Sequence, residues 1–139
     1  MSDDSDTFEP VRYDSSDAPV TAFMGEEPVL VSSTTTLREA ATRLQDAGVG
    51  LIVVGSTTAV EGVVSERDIV RAVANGVDLD AVTVAEVETK DLYWATEDST
   101  VGSVVEEMME DYVRHILIGS TEGLVGIVSM RDLLSAYLD

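Results

Sequence analysis

Gly62-Val63-Val64-Ser65-Glu66-Arg67-Asp68 and Gly126-Ile127-Val128-Ser129-Met130-Arg131-Asp132 are one pattern written twice. Each copy is a glycine, two β-branched residues and Ser-x-Arg-Asp, followed by apolar residues at helical spacing. Ser129 stands 64 positions after Ser65, and every other member keeps that offset. Working outward, residues 21–75 lie on 85–139 without a gap, and twelve pairs are identical. They are Thr36/Thr100, Val49/Val113, Ile52/Ile116, Gly55/Gly119, Ser56/Ser120, Thr57/Thr121, Gly62/Gly126, Val64/Val128, Ser65/Ser129, Arg67/Arg131, Asp68/Asp132 and Ala72/Ala136. Others match in type, such as Leu37/Val101 and Ile69/Leu133. Drift would not preserve such a register, so the chain contains an internal duplication.

Each copy predicts the order β-α-β-β-α. In the first, Val20 to Met24 suits a helical turn and Val29-Leu30-Val31 a short strand. Thr36 is placed as an N-cap with Glu39 three residues on, the spacing of a capping box. Leu37, Ala40, Ala41 and Leu44 recur at helical spacing, and Gly48 is suited to end that helix. Leu51-Ile52-Val53-Val54 is a run expected of a strand buried on both faces. Val60–Val64 is the next strand, and Ser65 opens a helix through Ala74. The second copy repeats this, from the turn at Val82–Val87 to the closing helix Ser129–Leu138. The expected fold is mixed α+β, two such repeats packed with pseudo-two-fold symmetry. The expected divisions are a mobile acidic tail over 1–17, one repeat over 18–80 and the other over 81–139.

Composition narrows the function. There are 27 Asp and Glu against 8 Lys and Arg, for a net charge of −19. A nucleic-acid backbone attracts the opposite sign, so nucleic-acid partners are not expected. Lys90 is the one lysine, and excess acid with scarce lysine resembles the proteins of halophilic archaea. Cysteine is absent and His115 is the one histidine, which argues against thiolate or multi-histidine metal sites. No apolar run nears the roughly 18 residues of a membrane helix. The polar, acidic N-terminus is unlike a secretory signal, and a cytoplasmic, membrane-free protein is expected. The sequence holds no nucleophile elbow, P-loop or metal-ligand cluster, so an enzyme is not expected.

The repeated corner has two chemical readings. A helix starting after a buried strand directs N–H groups and the positive end of its dipole outward, which suits an anion. Ser65 or Ser129 could bond phosphate or ribose, Asp68 or Asp132 a vicinal diol, and Arg67 or Arg131 phosphate. Alternatively Ser-x-x-Asp is only a capping box, satisfying the helix's own N–H groups.

The two stretches, with Val113-Arg114-His115-Ile116-Leu117-Ile118 and Thr36-Leu37-Arg38-Glu39-Ala40, resemble the C-terminal motif, strand and first helix of cystathionine β-synthase (CBS) domains. The resemblance covers about residues 20–139. It implies a tandem pair, or Bateman module: a sensor that binds AMP, ADP, ATP or S-adenosylmethionine in clefts between the repeats and often dimerises. By resemblance, Asp68 and Asp132 would hold ribose hydroxyls, and Ser65 and Ser129 would contact ribose or phosphate. Arg114 and His115 would face phosphates. The adenine would lie near Val53-Val54 and Leu117-Ile118, with backbone groups reading its edge. The family's common proline in the buried strand is missing, with Val53 and Leu117 in its place. The first repeat has Gly50-Leu51 where the second has Arg114-His115, so two inequivalent sites are expected.

The expectation is therefore a regulatory sensor of adenosine-containing ligands, without an obligatory cofactor. It would signal as a homodimer or through an effector protein. The alternative is a ligand-free scaffold for protein–protein contact. Trp94, aligned with Leu30, and Met108-Met109 are read as packing residues.

Overall fold

A computed structural model describes residues 16–25 and 27–138. The acidic tail of the sequence reading lies almost wholly outside the described residues. Among the described residues, two three-stranded sheets and five α-helices make up the mixed α/β fold. In chain order, a 3-10 turn at Val20–Phe23 is followed by β1 (Leu30–Val31), α1 (Leu37–Ala47), β2 (Leu51–Ser56), β3 (Ala59–Ser65) and α2 (Glu66–Ala74). Then come α3 (Val84–Val87), β4 (Trp94–Thr96), α4 (Val101–Asp111), β5 (His115–Ser120), β6 (Gly123–Ser129) and α5 (Met130–Leu138). The sheet orders are β1-β2-β3 and β4-β5-β6. β1 runs parallel to β2, with Leu30 beside Val53, and β4 parallel to β5, with Trp94 beside Leu117. β2 and β3 form an antiparallel hairpin that pairs Leu51 with Ser65, so a strand end is carried directly to the head of α2.

The chain forms two compact units. One, here the N-terminal unit, is Glu27–Leu92 with residues 122–124; the other, the C-terminal unit, is the remainder. Val31, Leu37, Ala40, Leu44, Ile52, Val54, Val64 and Ala72 form the first core. Val101, Val104, Met108, Ile116, Ile118, Val128, Leu133 and Ala136 form the second. The remaining members cross over. Val84, from α3, completes the first core, and Val20, from the opening turn, completes the second. The short element that begins each sequence repeat thus packs in the unit built from the other. Both valines are fully buried, and burying such a side chain contributes about 1.5–3 kcal/mol.

Each long helix is started by its neighbours. At α1, Leu37 N–H donates to Val82 C=O (3.0 Å), Arg38 N–H to Leu79 C=O (3.0 Å) and Glu39 N–H to Thr36 Oγ1 (3.2 Å). The reciprocal bond expected from the Glu39 side chain is not formed. Residues beside Thr36 are tied to Val82 and Val84 instead, and Glu39 stays exposed. Gly48 ends α1 at φ 66°, as its lack of Cβ permits. Tyr112, at the equivalent position, ends α4 at φ 58° and is 93% exposed. A side chain in that conformation costs about 1–2 kcal/mol.

Candidate functional site

The two Ser-x-Arg-Asp corners lie where the strand–helix pattern placed them, one in each unit. Both are capping boxes. Ser65 N–H donates to Asp68 Oδ2 (2.8 Å) and Asp68 N–H to Ser65 Oγ (3.2 Å). Ser129 N–H donates to Asp132 Oδ2 (2.9 Å) and Asp132 N–H to Ser129 Oγ (3.0 Å). The first helical N–H is also used: Glu66 donates to Gly50 C=O (3.0 Å) and Met130 to Arg114 C=O (2.8 Å). Of the outward N–H groups expected to meet an anion, the first and third are thus taken. Among the described residues, the N–H of Arg67 or Arg131 remains.

Beyond the shared cap the corners diverge. Ser65 Oγ donates to Asp68 Oδ2 (3.1 Å), and Arg71 Nη1 donates to Asp68 Oδ1 (3.1 Å). Both Asp68 oxygens and the Ser65 hydroxyl proton are occupied. At the equivalent of Arg71 stands Ser135, whose Oγ donates to the backbone carbonyl of Asp132 (2.7 Å). Among the described residues, Asp132 Oδ1 accepts no hydrogen bond and the Ser129 hydroxyl donates none.

The edge of the corner strand differs as well. Gly25 N–H donates to Ile127 C=O (3.2 Å), and Thr89 N–H makes the equivalent bond to Val63 C=O (2.8 Å). A Cβ on Gly25 would stand 3.6 Å from Asp132 Oδ2, so the missing side chain leaves space beside that carboxylate. Met24 lies over Gly126, and Glu88 over Gly62, where a Cβ would come within 2.5 Å of Met24 Sδ or Glu88 Oε1. Glu88 Oε1 is buried without a hydrogen-bond partner, whereas a thioether needs none.

The other sequence-derived residues separate into groups. Arg114 is exposed, and its carbonyl joins it to the head of α5; His115 is half-buried and begins β5. Arg67 and Arg131 are exposed. Val54 and Ile118 are fully buried members of the cores. Val53 and Leu117 are also buried but project to the opposite sheet face, as alternation requires. Their N–H groups donate to Val29 C=O and Tyr93 C=O (2.9 Å each), the residues just before β1 and β4. These two N–H groups are therefore not spare for reading a base edge.

Trp94, read from the sequence as a packing residue, lies at the sheet surface. It is 42% exposed and in register with Leu117, so it shares the face opposite the core. Alignment with Leu30 suggested packing; only the pairing register shows an indole on that face. Among the described residues, no three His, Cys, Asp or Glu cluster as metal ligands, and no helix is long and apolar enough to cross a membrane.

The CBS domain family model matches residues 20–75 and 84–139. The chain belongs to the CBS domain family. Both corners fall inside the matched CBS domains, at the same place in each. A 17.7 kDa protein from Acidianus ambivalens, uncharacterized, is 39% identical over 112 residues, 79% of this chain and 67% of that one. Two other curated relatives, 30% and 32% identical, are far longer: the chain spans 16% and 37% of their lengths. Among solved structures, an uncharacterized conserved protein from Pyrococcus horikoshii is 28% identical with a TM-score of 0.80, covering 89% of this chain and 95% of that one. A CBS domain protein from Pyrobaculum aerophilum complexed with AMP is 32% identical with a TM-score of 0.74, covering 82% and 88%. The CBS pair is thus the fold of nearly the whole described chain.

Proposed function

We propose that this CBS pair is a regulatory module that binds an adenosine-containing ligand (AMP, ADP, ATP or S-adenosylmethionine) at a Ser-x-Arg-Asp corner. The observation that carries this reading is the spare capacity at Ser129–Asp132. A capping box consumes one carboxylate oxygen, and there Asp132 Oδ1, the Ser129 hydroxyl proton and the Arg131 N–H are left for a ligand. A carboxylate oxygen suits ribose hydroxyls, and a hydroxyl with a helix N–H suits phosphate. The similarity to a protein complexed with AMP supports the same ligand class. In this reading Arg114 brings positive charge, and His115 an imidazole, to the ligand's phosphate on a chain that is otherwise strongly acidic.

The module is proposed to act in the cytoplasm as a homodimer, without catalysis of its own. Val70 and Val73 on α2, and Leu134 and Tyr137 on α5, are exposed apolar residues at equivalent positions, and they offer a face for self-association. The ligand would act by binding two arrangements of that dimer, or of a complex with an effector protein, with different affinity.

The test is thermal unfolding in high KCl with AMP, ADP, ATP, NAD and S-adenosylmethionine in separate titrations. Salt near 1 M shortens the Debye length to about 3 Å and relieves the self-repulsion of a −19 chain. A ligand at 100 times its Kd adds about 2.7 kcal/mol of stability. Unchanged melting with every compound would end the sensor reading. It would favour the second reading, a ligand-free scaffold, which the capping bonds of both corners also support.

A further inference from the structure

We propose that the Ser65–Asp68 corner is closed by its own side chains, so that the chain takes one nucleoside phosphate, at Ser129–Asp132. This rests on the ligand-binding reading above and adds its stoichiometry and the residues that set it.

Three features set the first corner apart. Arg71, one helical turn beyond Asp68, takes the carboxylate oxygen that would meet a ribose. The Ser65 hydroxyl turns inward and gives its proton to the same carboxylate. Thr89, bonded to Val63 as Gly25 is to Ile127, puts a side chain at the strand-edge position where Gly25 has none. The cap also draws on Gly50 in the first corner and on Arg114 in the second, so only the second has a cationic side chain at that point.

Magnitudes decide how these combine. Arg71 is 62% exposed, so its pair with Asp68 alone would hold back a ligand by only about 2–5-fold. Loss of hydrogen bonds to a charged group is worth about 10–100-fold in affinity. Arg71 is thus one contributor and Thr89 the other; the Ser65 hydroxyl is a rotor that can turn to a ligand once Asp68 Oδ1 is released. The second corner has none of the three. Its equivalents are Ser135, a hydroxyl without an acceptor in the cap, and Gly25.

The experiment is isothermal titration of the full chain with AMP in high KCl. The wild type is expected to bind one AMP per chain. Ser135→Arg, which places a guanidinium beside Asp132 as Arg71 stands beside Asp68, should weaken that site about 2–5-fold. Gly25→Thr should weaken it further while leaving the fold intact, since the added Cβ meets only ordinary contact at 3.6 Å. Arg71→Ser combined with Thr89→Gly should add a second AMP. Circular dichroism melts establish that each variant is folded before titration. Two equivalent AMP per wild-type chain would overturn the inference while leaving the ligand-binding reading standing. So would a folded Arg71→Ser/Thr89→Gly variant that still takes one. No binding of AMP by the wild type or any variant would remove both.

Discussion

At Ser65–Asp68 the aspartate gives both oxygens to groups of its own unit, and the serine gives its proton. At Ser129–Asp132 one aspartate oxygen and the serine proton have no such use among the described residues. The motif letters are identical, and the caps match to within 0.2 Å in both bonds. What differs is the residue one turn along the helix, the residue on the neighbouring strand edge and the pair at the head of the buried strand. A shared motif therefore fixes the cap, and non-motif neighbours fix whether anything is left over for a ligand.

The comparison extends to the cores, where the largest effects are expected. Val20→Ala should destabilise the C-terminal unit, and Val84→Ala the N-terminal unit, by about 2 kcal/mol each. Hydrogen exchange reads the two units separately. Protection lost from β2 and β3 in Val20→Ala, rather than from β5 and β6, would break the assignment of Val20 to the C-terminal core.

Next in size is the pair Asp132→Ala and Asp68→Ala. Both remove a cap and should lower stability by about 1 kcal/mol. Their effects on AMP affinity should part: Asp132→Ala is expected to weaken it about 10–100-fold, and Asp68→Ala less. Asp132→Asn keeps an oxygen for the Ser129 N–H and so separates capping from binding. It should retain stability and lose affinity. Equal losses of affinity in the two alanine variants would erase the contrast between corners.

Smaller effects sharpen it. Glu88→Met copies Met24 and removes a buried, unpartnered carboxyl oxygen; a gain of about 1 kcal/mol in denaturant unfolding is expected. Tyr112→Gly copies Gly48 and should stabilise by about 0.5–1 kcal/mol, the relief of a left-handed side chain set against the greater freedom of unfolded glycine. A loss of stability in either variant would show that the repeats are not interchangeable at that position.

The duplication, the β-α-β-β-α order, the Thr36 and Gly48 ends of α1 and both capping boxes are legible in the sequence. Each depends on residues a few positions apart, whose spacing fixes the geometry of a strand, a cap or a turn. Arg71 was legible in the same way, one turn from Asp68, but its partner position Ser135 became informative only beside the hydrogen-bond pattern of both corners. The exchange of Val20 and Val84 was not legible. Both are valines in equivalent places, and local pattern carries no information on which core receives which. Nor could spacing show that Gly25 and Thr89 border Asp132 and Val63, since each reaches its corner from a separate stretch of chain. Secondary structure here is a short-range property that the repeat wrote twice. The capacity of each corner depends on hydrogen bonds and contacts that act over a few ångströms between residues distant in sequence, and these came into being only when the chain folded.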